Sequence, residues 1–194
     1  HVSAGGKNLE QLILASASPR RAQLLKQIGI PFKVVKNRYD EPEITEENAL
    51  EAIALAKAKS VSAEYPHNLI LGADTVVICE NRVLGKPKDE VEAQEMLRLL
   101  SGRVHRVATA VALTKGGRET VSREETLVWM RNIEEEEIKA YTASKEPYDK
   151  AAAYAIQGKG AVFVEKVQGC FFNVVGLPIY RVVLMLKEWD MPVW

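Results

Sequence analysis

The stretch LILASASPRRAQLLKQIGIP, residues 12–31, predicts a strand that runs directly into a helix. Its first residues form a short apolar run, which is typical of a buried strand. Ser18 is a favoured helix N-cap, and Pro19 suits the first helical position. Arg20 and Arg21 then fall in the first helical turn, where the helix dipole disfavours cations. The arginine pair therefore indicates that an anion lies in front of this helix.

The remaining elements predict an α/β fold around a mixed β-sheet. Their order is strand, helix, strand, helix, strand, hairpin, helix, hairpin, helix, which is typical of this class. The sequence predicts a long helix over about residues 46–64, a strand interrupted at Gly72-Ala73-Asp74, a hairpin that turns at Gly116-Gly117, and a pair of strands within residues 161–176. We expect one domain over residues 11–194, preceded at residues 1–10 by an N-terminal extension or a remnant of expression.

Composition limits the classes of function. Of the 194 residues, 47% are hydrophobic and 27% charged, as in ordinary globular proteins. Lys and Arg together number 26, as do Asp and Glu, so the net charge is zero. Nucleic-acid-binding proteins usually have a basic excess, so we expect no nucleic-acid partner. Any recognition of phosphate should therefore be confined to a pocket.

The cysteines and the apolar runs favour a cytoplasmic protein. Cys79 and Cys170 form neither a CxxC motif nor a zinc-binding spacing, and isolated thiols suit a reducing compartment. No apolar run approaches the roughly 18 residues of a membrane span, and no signal peptide is recognisable. We therefore expect a cytoplasmic location and no membrane partner.

Several common site motifs are absent from the sequence. It has no GxxxxGK[ST] phosphate loop and no GxSxG nucleophile elbow. The stretch QGKGAV, residues 157–162, has two glycines but lacks the third glycine of a GxGxxG dinucleotide motif. The three histidines, at positions 1, 67 and 105, lack the spacing of metal ligands. The chemistry should therefore come from polar residues at the edges of apolar elements.

The start of the first helix is one candidate site. A strand that leads into a helix N-terminus points free backbone N–H groups at one spot. The hydroxyls of Ser16 and Ser18 and the guanidinium groups of Arg20 and Arg21 would add donors that suit a triphosphate. The alternative is a capped helix with two solvated arginines, and the local pattern does not decide between them.

Asp74 is the second candidate. It follows a buried apolar run and Gly72, which lacks a Cβ and so allows the close approach of backbone or ligand. Ligands of α/β sheets gather at the carboxyl ends of strands. An aspartate at that place can bind a divalent cation or accept a proton from an attacking water. The alternative is an aspartate that only caps a backbone turn.

Four further residues are ambiguous when each is taken alone. Lys59 lies late in the predicted long helix and Lys86 in a Gly-Lys-Pro turn, and both positions are compatible with ordinary surface lysines. Glu41 lies in an acidic loop and would by itself be solvent-exposed. Gln157 could hydrogen-bond the edge of a base or could equally serve a turn.

Six motifs in combination resemble one known family. They are LILASASPRR (12–21), LGADTVV (71–77), LGKP (84–87), LRLLSGRVH (97–105), DKAAAYAIQGKGAVFVE (149–165) and NVVGLP (173–178). Together and in this order they resemble the Maf family of nucleoside-triphosphate pyrophosphatases. The resemblance covers nearly the whole chain, from about residue 12 to 186.

The resemblance implies a fold and a reaction. The fold would be α/β, with an elongated mixed β-sheet flanked by helices and a cleft between two lobes, similar to that of inosine-triphosphate pyrophosphatases. The reaction would be hydrolysis of a nucleoside triphosphate to the monophosphate and pyrophosphate, with Mg²⁺ or Mn²⁺ as cofactor. The partner is then the nucleotide itself, and a homodimer is left open.

The resemblance also implies roles for particular residues. Ser16 and Arg21 would bind phosphates, and Asp74 would accept a proton from the attacking water. The remaining charged candidates would take two further roles: Lys59 and Lys86 would complete the cationic cradle, and Glu41 would join the attacking water or, with Asp74, the metal.

Three positions are similar to the branch of the family that acts on dTTP and UTP. They are Arg20, Thr75 and Gln157, where the branch that acts on 7-methylguanosine triphosphate tends to carry an aromatic residue, a glutamine and a glutamate. Ala152 and Ala155 depart from the family by standing where glycines are common. Two alternatives remain: the 7-methylguanosine-triphosphate branch, and a nucleotide-sensing regulator of septum formation with little turnover.

Overall fold

A computed structural model describes residues 10–194, so all but the last residue of the expected N-terminal extension, including His1, lies outside the described part. The described strands are β1 (Leu12–Leu14), β2 (Phe32–Val34), β3 (Ile70–Cys79), β4 (Arg82–Leu84), β5 (Val104–Lys115), β6 (Arg118–Met130) and β7 (Val164–Gln168). The helices are α1 (Pro19–Gln27), α2 (Leu50–Lys59), α3 (Glu90–Leu100), α4 (Glu135–Thr142), α5 (Phe171–Val175) and α6 (Ile179–Glu188). No helix in this described part is long and apolar enough to cross a bilayer.

The strands form one mixed sheet, as the sequence predicts. Its order is β2-β1-β3-β5-β6-β7, and β4 also pairs with β3. The pairs of β1 with β2 and with β3 are parallel. The pairs that involve β4 to β7 are antiparallel. The hairpin between β5 and β6 turns at Gly116-Gly117, where it was expected.

One edge of β3 is shared by two strands that do not meet. β5 pairs with β3 along Ile70–Ile78 and so occupies the other edge. On the shared edge, β1 reaches only to Leu71, and β4 begins at Val77. Between these points, over residues 72–76, no strand of the described chain lies beside β3. The sheet is therefore open at Asp74 and Thr75.

The predicted interruption at Gly72-Ala73-Asp74 is wrong, because β3 is continuous through these residues. Gly72 instead allows α2 to pack closely on the sheet. A Cβ on Gly72 would lie 2.8 Å from the backbone nitrogen of Ala58 and closer still to the carbonyl oxygen of Ala54. A glycine within an apolar run can mark either a turn or a close contact between a helix and a strand. Here it marks the contact.

The opposite face of the sheet carries two apolar clusters with a cleft between them. The first surrounds α1 and α6 and includes Leu71 and Ala73 of β3. The second surrounds α3 and α4 and includes Val77 and Cys79 of the same strand. Successive side chains of a strand alternate between its faces, so Thr75 falls between the two clusters. The elongated mixed sheet with two lobes around a cleft is thus confirmed.

Two further boundaries differ from the sequence prediction. The long helix begins at Leu50, after a 3₁₀ turn over Glu47–Ala49, and ends at Lys59 rather than near residue 64. The second pair of strands within residues 161–176 is wrong: Val164–Gln168 is a strand, but Phe171–Val175 is a helix. Short apolar runs do not distinguish a buried strand from a buried helical turn.

Candidate active site

The cleft holds a cavity of about 860 Å³. Eight of the nine residues that the sequence singled out for catalysis, substrate or metal line it: Ser16, Arg20, Arg21, Glu41, Asp74, Thr75, Lys86 and Gln157. We call the part around Ser16, Arg21, Lys57 and Asp74 the charged end, and the part lined from residues 149–157 the turn end. The two ends are built in different ways.

The charged end begins at the start of α1. Ser18 is the N-cap, as predicted, and its Oγ accepts a hydrogen bond from the Arg21 backbone nitrogen at 3.4 Å. The Ser18 nitrogen donates to the buried Oγ of Ser16 at 3.1 Å. The first turn contains no acidic residue. The helix therefore presents its positive end to the cavity without a protein carboxylate in its own first turn.

Arg21 is fixed by three separate parts of the chain. Its Nε donates to the Gly176 carbonyl at 2.8 Å, its Nη2 to the Thr75 hydroxyl at 3.0 Å and its Nη1 to the Ser16 hydroxyl at 3.4 Å. A guanidinium has five N–H donors, so these three bonds leave two for a ligand. Burial lowers the pKa of Arg21, and the Asp74 charge partly opposes that shift. The arrangement suits an anion held at a fixed angle.

On the other face of β3, Lys57 connects two carboxylates. Its Nζ lies 2.7 Å from Oδ1 of Asp74 and 3.2 Å from Oε1 of Glu41. Lys57 and Asp74 are buried, whereas Glu41 is partly exposed. Asp74 Oδ2 is also buried and has no hydrogen-bond partner within residues 10–194. An unpaired carboxylate oxygen of this kind is available to a water, a cation or a proton.

The environment of Asp74 makes it a stronger base than an ordinary aspartate. Burial raises its pKa, the charge of Lys57 partly opposes the shift, and the charge of Glu41 adds to it. Burial also acts to raise the pKa of Glu41, but Lys57 more than offsets this and the pKa of Glu41 is lowered. A base is most effective when its pKa approaches the working pH. Asp74 is therefore the better base of the two.

The expected role of Lys59 in the cationic cradle must be corrected. Its Nζ pairs with Oε2 of Glu119 at 3.2 Å on the exposed surface, and it does not line the cavity. Two residues along a helix turn the side chain through about 200°, so Lys59 faces away when Lys57 faces inward. A signal was present in the sequence, because Lys57 lies on the same helix stripe as the buried Ile53 and Ala54.

At the turn end, Gln157 is exposed and lines the cavity beside the buried Tyr154. Arg20 reaches across from α1 and its Nη1 lies 3.3 Å from Oδ2 of Asp149. Lys86 is exposed on its turn. The preceding Gly85 carbonyl accepts a hydrogen bond from the Ala152 nitrogen at 3.0 Å. The Lys86 turn is therefore tied to the turn end.

A family model described as "Maf-like protein" matches residues 11–189. The chain belongs to the Maf family. Its sequence is 47% identical over 189 residues to a protein of Symbiobacterium thermophilum named dTTP/UTP pyrophosphatase, with 96% of this chain and 97% of that protein covered. A Bacillus cereus protein of the same name is 45% identical over 196 residues, covering 100% and 97%. A Moorella thermoacetica protein, also of that name, is 46% identical over 191 residues, covering 96% and 98%.

Among solved structures, the Staphylococcus aureus Ham1 protein overlaps with 62% of this chain and 72% of its own. The TM-score is 0.45 and the sequence identity 14%. The assignment to the Maf family does not depend on so partial an overlap.

In this Maf chain, Asp74 and Glu41 are the residues that could hold a divalent cation. Mg²⁺ is usually held by one or two carboxylates together with water and substrate phosphates, rather than by a cage of protein ligands. The described residues contain no group of three or more His, Cys, Asp and Glu side chains arranged for a metal. The unpartnered Oδ2 of Asp74 and the adjacent carboxylate of Glu41 fit a cation that is bound together with phosphate.

Proposed function

We propose that this chain hydrolyses dTTP and UTP, and modified pyrimidine triphosphates, to the monophosphate and pyrophosphate, and so removes unwanted nucleotides from the cytoplasmic pool. The observation that carries the proposal is that Arg21 and Asp74 line one cavity although they lie on opposite faces of β3. The names of the relatives support the choice of substrate.

The anion that the arginine pair required is then the triphosphate. Ser16 and the two remaining N–H groups of Arg21 bind phosphate oxygens at the start of α1, where the helix dipole adds to their attraction. Lys86 lines the same cavity and adds a further cation. These donors hold charge that develops on the transferring and leaving groups, and fixed donors of this kind lower the barrier most.

Asp74 acts on the attacking water. Its buried carboxylate accepts a proton as the water attacks the phosphorus next to the nucleoside, and pyrophosphate leaves. Lys57 holds Oδ1 of Asp74, so Oδ2 is left to face the water. Burial raises the pKa of Asp74, and the charge of Lys57 opposes that rise.

A divalent cation held by Asp74 and Glu41 together with the phosphates would neutralise phosphate charge and align the reacting groups. Mg²⁺ and Mn²⁺ both suit oxygen donors of this type. Glu41 is well placed for that role because Lys57 holds its pKa below the ordinary range, so it stays ionised.

Selection of the base falls to Arg20, Thr75 and Gln157. Gln157 presents an amide at the turn end, and an amide can pair with the edge of a pyrimidine. The Thr75 hydroxyl contacts Arg21 and Thr109, so its contribution passes through the position of the Arg21 guanidinium. Arg20 is anchored by Asp149 across the cavity.

The test is a panel of triphosphates with Mg²⁺ or Mn²⁺ in which pyrophosphate and orthophosphate are measured separately. The proposal expects pyrophosphate as the first product and dTTP and UTP as the best substrates. Orthophosphate as the first product would mean attack at the terminal phosphate. A preference for 7-methylguanosine triphosphate would assign the other branch, and binding without turnover on any triphosphate would indicate a nucleotide sensor.

A further inference from the structure

The Gly158-Lys159-Gly160 segment binds a carboxylate of the protein itself. The backbone nitrogen of Lys159 donates to Oε1 of Glu146 at 2.8 Å, and that of Gly160 donates to Oε2 at 3.0 Å. This is the glycine-rich stretch that the sequence excluded as a dinucleotide motif. Two consecutive N–H groups that converge on an anion form a compact anion-binding site. Here the carboxylate of Glu146 occupies it. The segment therefore has a structural partner directly after Gln157.

Tyr141 extends the same network to the residues before Gln157. Its hydroxyl donates to Oε2 of Glu146 and accepts a hydrogen bond from the Ala155 nitrogen at 3.1 Å. The chain is thus held at Ala155 by Tyr141 and at Gly160 by Glu146. Gln157 lies between the two held points. Its amide is exposed to the cavity while its backbone is fixed on both sides.

The two glycines of the segment fit the same network. A Cβ on Gly160 would lie 2.8 Å from the Ala155 carbonyl oxygen and 2.9 Å from the Tyr141 hydroxyl. A Cβ on Gly158 would collide with Oε1 of Glu146. Real Cβ atoms do not approach other atoms so closely. At these two positions the backbone therefore lies too close to Tyr141 and Glu146 to leave room for a Cβ.

We propose that Tyr141 and Glu146 are positioning residues for base selection, which fix the amide of Gln157 against the pyrimidine. This inference rests on the proposed function, because it assigns how the same cavity discriminates among bases. A fixed amide accepts one pattern of donor and acceptor on the base edge, whereas a mobile amide adapts to several. Discrimination among bases should therefore depend on Tyr141 and Glu146, although neither residue lines the cavity.

The protonation states agree with this arrangement. Burial acts to raise the pKa of Glu146, but the hydrogen bonds from Tyr141 and from the Lys159 and Gly160 nitrogens more than offset it, so the pKa is lowered. Burial and the Glu146 interaction raise the pKa of Tyr141. At neutral pH Glu146 is thus an ionised acceptor and Tyr141 a neutral donor, which makes their hydrogen bond charge-assisted.

The test compares Glu146→Gln and Tyr141→Phe with the parent protein in the full chain. We expect KM for dTTP and UTP to rise about tenfold, which corresponds in free energy to the loss of about one hydrogen bond. The preference for these nucleotides over dCTP should fall by a similar factor. We expect kcat at saturation to change less than about threefold. Inhibition by inorganic tripolyphosphate, which has no base, should be unchanged.

Two further measurements separate positioning from general damage. Tyr148→Phe is the matched control, because the Tyr148 hydroxyl donates to the Thr142 carbonyl in the same lobe. It should leave KM and discrimination unchanged. Amide hydrogen exchange at Lys159 and Gly160 should become faster in Glu146→Gln and stay at the parental rate in Tyr148→Phe.

The outcomes distinguish this inference from the proposed function. If the parent hydrolyses dTTP and UTP but Glu146→Gln and Tyr141→Phe both keep its KM and its preference over dCTP, the positioning role is wrong. A rise in KM accompanied by an equally weakened tripolyphosphate inhibition would also overturn it, because the damage would then reach the charged end. If the parent hydrolyses neither nucleotide, the proposed function fails first.

Discussion

The two ends of the cavity are built from different kinds of structure. At the charged end, side chains of α1, α2 and β3 are buried or partly buried and bonded to one another, as in the contacts of Lys57 with Asp74 and of Arg21 with Thr75. At the turn end, short 3₁₀ turns carry the lining, and Ala152 and Ala153 have φ angles of 58° and 65°. In the proposed function, regular elements hold charge against the triphosphate, which every nucleoside triphosphate shares, and turns contact the base, which differs.

The two ends are also joined at one point. The hydrogen bond from the Ala152 nitrogen to the Gly85 carbonyl places the turn end against the loop of Lys86. Left-handed φ values are disfavoured for residues with a Cβ. The strained pair lies where the backbone contacts the Lys86 loop.

The largest expected difference between the two ends comes from a substitution of Lys57 at the charged end. Lys57→Met would leave Asp74 buried without its cation, which costs about 3–5 kcal/mol for a buried pair, and would favour the protonated, inactive carboxyl group. We expect turnover of dTTP to fall at least about 100-fold. Steady-state kinetics and urea unfolding measure the two effects.

Lys59→Met is the matched control two residues away. Its ion pair with Glu119 is exposed, so the cost should be below about 1 kcal/mol and turnover should be retained. Equal losses of turnover in the two variants would contradict the assignment of Lys57, rather than Lys59, to the cavity.

The next largest expected effect is on stability and concerns the packing of α2 on β3. Gly72→Ala would force a Cβ against the backbone of Ala54 and Ala58, and we expect a loss of about 3 kcal/mol in the free energy of unfolding. Gly85→Ala adds a Cβ with no atom within 4 Å and should change the free energy of unfolding by less than about 0.5 kcal/mol. A tolerated Gly72→Ala variant would mean that α2 packs less closely than described.

The last effect appears only on acidification and concerns His105, which contacts Tyr154 of the turn end. Its Nε2 is 2.6 Å from the hydroxyl of Tyr154, and burial lowers its pKa to about 4. As the pH falls from 6.5 to 4, the unfolded chain binds a proton at His105 that the native protein does not bind. The stability is therefore present above pH 6.5 and is lost on acidification, at about 1.4 kcal/mol per pH unit.

His105→Gln should remove this part of the pH dependence when urea unfolding is measured between pH 7 and 4.5. Tyr154→Phe is the control and should keep it, because burial rather than the hydroxyl is the cause of the shift. A wild-type slope in His105→Gln would show that other groups produce the pH dependence.

Sequence reasoning found the charged end better than the turn end. Ser18 and Pro19 identify the start of α1 because caps are local signals, and the apolar pattern identifies the mixed sheet. Lys57 was missed, although the buried stripe of α2 includes it. The roles of Glu146 and Tyr141 were not visible, because their contacts with residues 155–160 depend on how the turns fold back.

The most direct test of the shared cavity is the Asp74→Asn variant, measured for both dTTP binding and release of pyrophosphate. Asparagine keeps an acceptor for Lys57 but cannot take a proton from water. The account predicts a dissociation constant for dTTP, measured without a divalent cation, within about threefold of the parent's, and turnover with the cation reduced at least about 100-fold. Turnover near the parental rate would contradict it, because Asp74 would then not be the base that works beside Arg21.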